Sequence, residues 1–480
     1  MSALWANLRA TGSTLQPAPR AAIIPARLVL HIFGLNQSTV LLSLDSMSLK
    51  PKASNPLQKA ATALRELRER HEERHRPSGF HFAFADRVDF LNHAAWDAVT
   101  HGGSLFLRRE VLRVIEQHGP DNLSPRYAMI YRGETPVAVL AAQIVRVTSK
   151  HLHHEKGVPK QAEPKNLLKR VLKPAAKLAT ARLDERLLIA GNLMSWGFHG
   201  VAFAPGENPA HIWPGLADAL YRIRRADRLM GDTNLVMVKD ITETQTGLEA
   251  LRRFSYRPLE TEPNMVLAIQ PGWRSYEDYL SALDAKYRRN AKDQLKKLTA
   301  AGCTIEPLAE VAAHASRLHE LYLSVHNNAS VRLVTLSQNY LPQIATALGD
   351  DFRCTVIRRG EEILGFITTM RDGATAIAYY IGFDRTAAEG LPIYLRLLHT
   401  TIGDAIAWGC TRLSIGRTAL EPKAAMGAKP EAMSVWMRHR VPAVNWMLRG
   451  VLGAVSHEEA PERNPFKSIP TGATKAEFEK

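Results

Sequence analysis

Cysteine is scarce in this sequence: three residues in 480, Cys303, Cys354 and Cys410, far apart and with no CxxC pair. That argues against a disulfide framework and a thiolate metal site, and favours a reducing compartment. Acid is scarce as well. The first carboxylate is Asp45, and over the whole chain 47 acids face 62 lysines and arginines, a net charge of +15. An anionic partner is implied: nucleic acid, a lipid headgroup surface or a phosphorylated small molecule. Long apolar runs are missing too; LVLHIFGL near the N-terminus is too short and interrupted to span a bilayer. HLHH at 151–154 has the composition of a metal tract but no HExxH context, and reads as a solvated loop.

What is present divides the chain. Residues 1–55, poor in acid and carrying Arg9, Arg20 and Arg27, read as a disordered leader or a spurious extension ahead of a start at Met47. Residues 56–79 hold a helix, LQKAATALRELRERHEERHR, closed by Pro77. One pattern then occurs twice. YAMIYRGETPVAVLAAQIV (127–145) and FRCTVIRRGEEILGFITTM (352–370) are β-hairpins turning at Gly133 and Gly360. Each is followed by a β-like segment (195–204 and 375–383), a helix, and a further strand, NLVMVKDI or TRLSIGRT. The expected domains are 80–270 and 271–455, the second of them catalytic, with a disordered tail over 456–480.

Two basic tracts stand out. In KNLLKRVLKPAAKLATAR, Lys165, Lys169, Lys173 and Lys177 recur every four residues beside a leucine-rich stripe, within an insertion at about 148–182. Such a helix suits an anionic membrane surface over 165–182, or a lid, with Pro174 kinking it. KYRRNAKDQLKK (286–297) is a helical cationic ridge, or a solvated face.

Three stretches carry a resemblance: WRSYEDYLSALDAKYRRNAKDQLKK, RRGEEILGFITTMRDGATAIAYYIGFD, and GRTALEPKAAMGAKP at 416–430. With LLIAGNLMSWGFHG they are similar to tandem GNAT-fold N-acyltransferases of the BioF2-like or Fem-type branch. The resemblance implies an α/β (α+β) fold of two GNAT-like domains, each a mixed splayed sheet flanked by helices, with the acyl carbonyl in the V between central strands. It also implies acyl-CoA or acetyl-CoA as donor, with no metal. The usual Q/R-x-x-G-x-G/A phosphate loop is replaced by DRTAAEGLPIY (384–394) and APGENPAHIWP (204–214), keeping only Gly390 of the spacing. A carrier-protein thioester or aminoacyl-tRNA donor therefore stays open.

No Ser-His-Asp or Cys-His arrangement is legible, so direct attack by an amine is the expected chemistry. Glu421 and, through water, His399 are candidate bases; Tyr380 or its neighbour Tyr379 is a candidate acid. Arg417 and Lys423, in a loop whose small residues permit close approach, are expected to hold the donor's anion, with Lys286, Arg288 and Arg289 closing over it. Asn192, His199 and Asp240 mark the matching edge of the first copy, read as a supporting half. The expected function is N-acyl transfer to an amine of an envelope, lipid or polysaccharide precursor, in the cytoplasm or at the inner face of the membrane. The alternatives are a Fem-type transferase using charged tRNA, and a non-catalytic pair serving as a membrane or nucleic-acid adaptor.

Overall fold

The two hairpins form as two-residue turns at the same Arg-Gly-Glu triplet. Gly133 and Gly360 take φ of 60° and 61°, a left-handed conformation that glycine adopts without strain. In the computed structural model the described residues are 65, 68, 69, 72, 78–151, 184–329, 332–446, 461 and 463–467. The leader and the basic insertion beyond residue 151 lie outside them.

The strands are β1 (His81–Ala85), β2 (Leu123–Arg132), β3 (Thr135–Thr148), β4 (Asp184–Ala190), β5 (Val201–Phe203), β6 (Thr233–Thr242), β7 (Arg257–Ala268), β8 (Cys303–Pro307), β9 (Phe352–Arg359), β10 (Glu362–Asp372), β11 (Thr375–Phe383), β12 (Arg412–Gly416) and β13 (Lys429–His439). The helices are α1 (His93–Thr100), α2 (Arg109–His118), α3 (Pro209–Ala226), α4 (Ala250–Arg253), α5 (Tyr276–Ala282), α6 (Ala285–Ala300), α7 (Ala315–His326), α8 (Tyr340–Leu348), α9 (Arg385–Gly390), α10 (Ile393–Ala407) and α11 (Leu420–Ala425).

Twelve strands form one continuous sheet in the order β1-β2-β3-β4-β6-β13-β7-β12-β11-β10-β9-β8, and β5 pairs on β3. The repeat is visible in that order. β2-β3-β4-α3-β6 and β9-β10-β11-α10-β12 have the same course, each with a parallel pair, β4 with β6 and β11 with β12, joined through a helix. A parallel pair requires such a crossover. The last strands are exchanged: β13 from the second half pairs with β6 of the first, while β7 from the first pairs with β12 of the second. The two half-sheets are thereby fused through β13 and β7.

The third strand of the first copy is 184–190, not 195–204 as expected. Only Val201–Phe203 of that segment is extended, and residues 191–200 form a loop whose glycines take positive φ at Gly191 and Gly197.

Apolar faces then set the layers. α1 and α2 of the first half share one core with α7 and α8 of the second, including Trp96, Phe106, Tyr322 and Tyr340. α5, α6 and α10 cover the other face of the second half, and α3 that of the first. Helix α6 shows why: Ala291, Gln294 and Leu298 turn inward at spacings of three and four, leaving its lysines and Arg289 outside. Within the tail expected to be disordered, residues 463–467 are docked. The Pro465 carbonyl accepts from Asp284 N at 2.8 Å, and Lys467 N donates to Ala282 O at 3.1 Å.

Candidate active site

β11 and β12 pair only from Thr375–Ile377 against Arg412–Ser414, and then part. In the first half, β4 stays paired with β6 to its last residue, Ala190. The opening in the second half leads into a cavity of about 850 Å³. Ala378, Tyr379 and Ile381 of β11 and Ile415 and Gly416 of β12 form one wall; Leu187, Ile189 and Met237 of the first half form another. β11 carries a bulge here, since Thr368 of β10 stands opposite both Tyr379 and Tyr380. Bulges commonly re-aim side chains beside active sites.

A polar cluster lies in this mostly apolar wall. Asp240 is fully buried at φ 55°. Its carboxylate accepts from Arg417 Nη1 at 3.0 Å, from the Gly197 amide at 3.1 Å, and from Lys239 Nζ. Lys239 Nζ also donates to the Ser195 carbonyl at 2.7 Å. Burial alone would raise the Asp240 pKa, but the Lys239 and Arg417 cations hold it below the usual carboxylate range. Two cations on one carboxylate leave the cluster positive.

Lys423, on α11, also lines the cavity and is 2% exposed. Among the described residues no acceptor holds its Nζ. Burial pushes its pKa down to about 8, with Glu262 opposing in part. The loop that delivers Arg417 and Lys423 turns sharply: Gly416 has φ 84° and lies so near Trp196 that a β-carbon would meet the indole at 3.2 Å. Trp196 Nε1 donates to Ser414 Oγ at 2.8 Å, which ties the first half's loop to β12.

Arg417 and Lys423 thus meet at the cavity, together with Asp240 from the first half; Lys429, the first residue of β13, is exposed. The other expectations are corrected. Glu421 is on the outer surface, paired with Arg463 of the docked tail. His399 is sealed within the core, its Nδ1 2.9 Å from Tyr276 Oη, and lines no part of the cavity. Tyr380 donates to the Met194 carbonyl at 3.1 Å and lines no part of the cavity; Tyr379 borders it but turns its hydroxyl into the core, 2.7 Å from that of Tyr340. Gly390 is exposed at the end of α9, the short helix standing where the phosphate loop was sought.

Arg288 caps α5 by donating to Leu283 O at 2.9 Å. Lys286 and Arg289 line a shallow groove on α6 with Lys296 and Lys297, which shares no residue with the cavity. Asn192 Oδ1 accepts from Met194 N at 2.9 Å, and His199 is buried 2.6 Å from Ser104 Oγ; both brace the loop. Lys239, Ser195 and Trp196 were not anticipated. The signal for Lys239 was a charged pair closing an otherwise apolar strand, NLVMVKDI.

A mixed sheet opened between parallel strands above a buried amine suits group transfer. Residues 285–424 match the family described as Acetyltransferase (GNAT) domain. That stretch, within the second half, is similar to a GNAT acetyltransferase domain, and acyl transfer is the enzyme chemistry it supports. No curated protein matches the sequence. Among solved structures, FemX is 11% identical, with 75% of this chain and 98% of that one covered at a TM-score of 0.46. A tandem GNAT protein from the clavulanic acid biosynthesis pathway is 12% identical, covering 76% and 99% at 0.42. L-PGS from Bacillus licheniformis is 11% identical, covering 72% and 96% at 0.39.

Proposed function

We propose that this protein is an N-acyltransferase that moves an acyl group from a thioester, acyl-CoA or an acylated carrier protein, onto a primary amine by direct attack. The observation that carries this reading is Lys423: a buried amine, without a hydrogen-bond acceptor among the described residues, in the wall of a cavity that begins where β11 and β12 part. As the N–C bond forms and the C–S bond breaks, the attacking nitrogen sheds a proton and the thiolate needs one. Lys423 Nζ is suited to take the first and return it as the second. Arg417 and Lys239 outnumber the Asp240 carboxylate, which favours the negative charge of a tetrahedral oxyanion.

The donor's arm fits the edge of β11, which beyond Ile377 has no strand on its β12 side among the described residues. A pantetheine arm, with its amides, is complementary to such an edge. Its phosphates have no glycine-rich loop at α9, so this chain would have to hold them by other cations. An envelope, lipid or polysaccharide amine at the inner membrane face is the acceptor class that agrees with the chain's positive charge.

The test is melting temperature with acyl-CoAs, together with release of CoA thiol in the presence of ethanolamine, glucosamine and lysine. A donor bound by the native state raises the melting temperature. Lys423→Met should keep that shift and lose about 10²- to 10⁴-fold in turnover. If neither acyl-CoA nor an acylated carrier protein shifts the melting temperature, the thioester reading fails. The second reading, an aminoacyl-tRNA donor, draws on the exposed Lys286, Arg289, Lys296 and Lys297 of α6. Its mark is binding that weakens steeply with salt.

A further inference from the structure

The volume of the cavity and the chemistry of its far wall exceed what a short acyl group needs. We infer that the site takes a long alkyl chain, of about twelve to eighteen carbons, laid from the opening of β11 and β12 across to the face of the first half-sheet. This rests on the acyl-transfer reading above and names its substrate class.

Part of the polar lining is gathered by hydrogen bonds around Asp240, with Lys423, Glu262 and Thr418 beside it, while Leu187, Ile189 and Met237 on the first half-sheet present only hydrocarbon and thioether. Those three are 1–3% exposed and belong to one packed apolar cluster, so the cavity's floor there is close-packed hydrocarbon. A sugar or a peptide laid against that wall would bury its polar groups there without partners. At about 30 Å³ for a water-sized group, which is close to a methylene, 850 Å³ holds at most about twenty-eight such groups, part of that space lying in the open mouth. A sixteen-carbon chain fits with room for the carbonyl and the end of the donor's arm. The apolar wall also explains a feature that the catalytic chemistry does not need: the first half contributes strand faces to the cavity, although its own parallel pair stays closed.

The chain can belong to the donor's acyl group or to a lipid acceptor, and the experiment separates these. Binding and transfer are measured for acyl-CoAs of two to eighteen carbons, and for lysophosphatidylethanolamine against ethanolamine with acetyl-CoA held as donor. Affinity should rise about three- to fourfold per added methylene until the cavity is filled, then level off. Ile189→Phe should move that plateau to shorter chains by several carbons. Met237→Ala, which removes volume instead of adding it, should move it to longer ones; opposite shifts in two variants are not produced by misfolding. A gain confined to the lipid amine assigns the chain to the acceptor and supports the inference. Transfer from acetyl-CoA with no dependence on chain length in either substrate overturns it and leaves acyl transfer standing. Absence of binding by any thioester at any length overturns the thioester reading, and this inference with it.

Discussion

Lys423 costs the folded protein stability at neutral pH, and the sign of that cost makes it measurable. Its unfolded pKa is that of an ordinary lysine near 10.5, whereas burial brings the folded value to about 8. Between those values the unfolded chain binds the extra proton, so stability rises with pH across the window from about 8 to about 10.5. Below about pH 8 the full penalty applies, on the order of 3 kcal/mol for a shift of this size. Lys423→Met should therefore be more stable than the parent at pH 7 and should lose the rise above pH 8, as read by urea midpoints along a pH series. Transfer activity, if it needs the neutral amine, should climb towards a plateau above about pH 8.

His399 works in the opposite range. Burial, then the Arg396 cation, lowers its pKa from 6.5 to about 3. The unfolded chain is the better proton acceptor between those values, so the protein should lose stability as pH falls from about 6.5 towards 3. His399→Gln should flatten that acid limb without shifting the pH–rate profile; a shifted profile would return His399 to the chemistry. At this scale the sequence marked Arg417, Lys423 and Asp240 because charges and small residues stood where apolar strands end. It could not separate Lys423 from Glu421, two residues apart on one short helix, since only the packing decides which side faces in.

Among the elements, the loop from β12 to α11 gives the sharpest test. Gly416 takes φ 84° with the Trp196 ring at van der Waals distance, and Ala419 follows at φ 52°. A β-carbon at 416 meets both the left-handed backbone penalty and the indole. Gly416→Ala should cost about 1–3 kcal/mol and, by displacing the indole from Ser414, should also weaken donor binding. A variant as stable as the parent would show that the loop re-forms freely.

The elements themselves were largely legible. Both hairpins, β6, β11, β12, α3 and α10 follow from apolar runs and turn glycines. Assigning 195–204 as a strand failed because SWGFHGVAFA has the aromatic content of one, yet its glycines at 197 and 200 serve a bend. Gly200 lies so close to the Gly191 backbone that a β-carbon would approach it at 2.3 Å. Composition alone does not distinguish a strand from a loop packed that tightly.

For the molecule as a whole, the exchanged strands decide how it folds. A repeat read along the chain predicts two domains with a boundary near 270, and each copy does have its own course of strands. Yet β7 completes the second half and β13 the first. No local pattern could show this, because exchange is a matter of which partner edge each strand meets. The core reinforces it: Trp96 and Phe106 share a cluster with Tyr322 and Tyr340. A chain cut at the expected boundary would leave residues 80–270 with an unpaired β6 edge and a bare apolar layer, a state prone to aggregation. Residues 80–270 and 271–480 made separately should therefore fail to fold, and the intact chain should unfold in one cooperative transition by calorimetry and circular dichroism alike. Co-expressed fragments should recover a single complex, because the exchange needs both edges present but not their covalent link. Two independent melting transitions would mean that each half closes on itself. The cavity, whose walls come from both halves, would then belong to an arrangement that the halves adopt only on meeting.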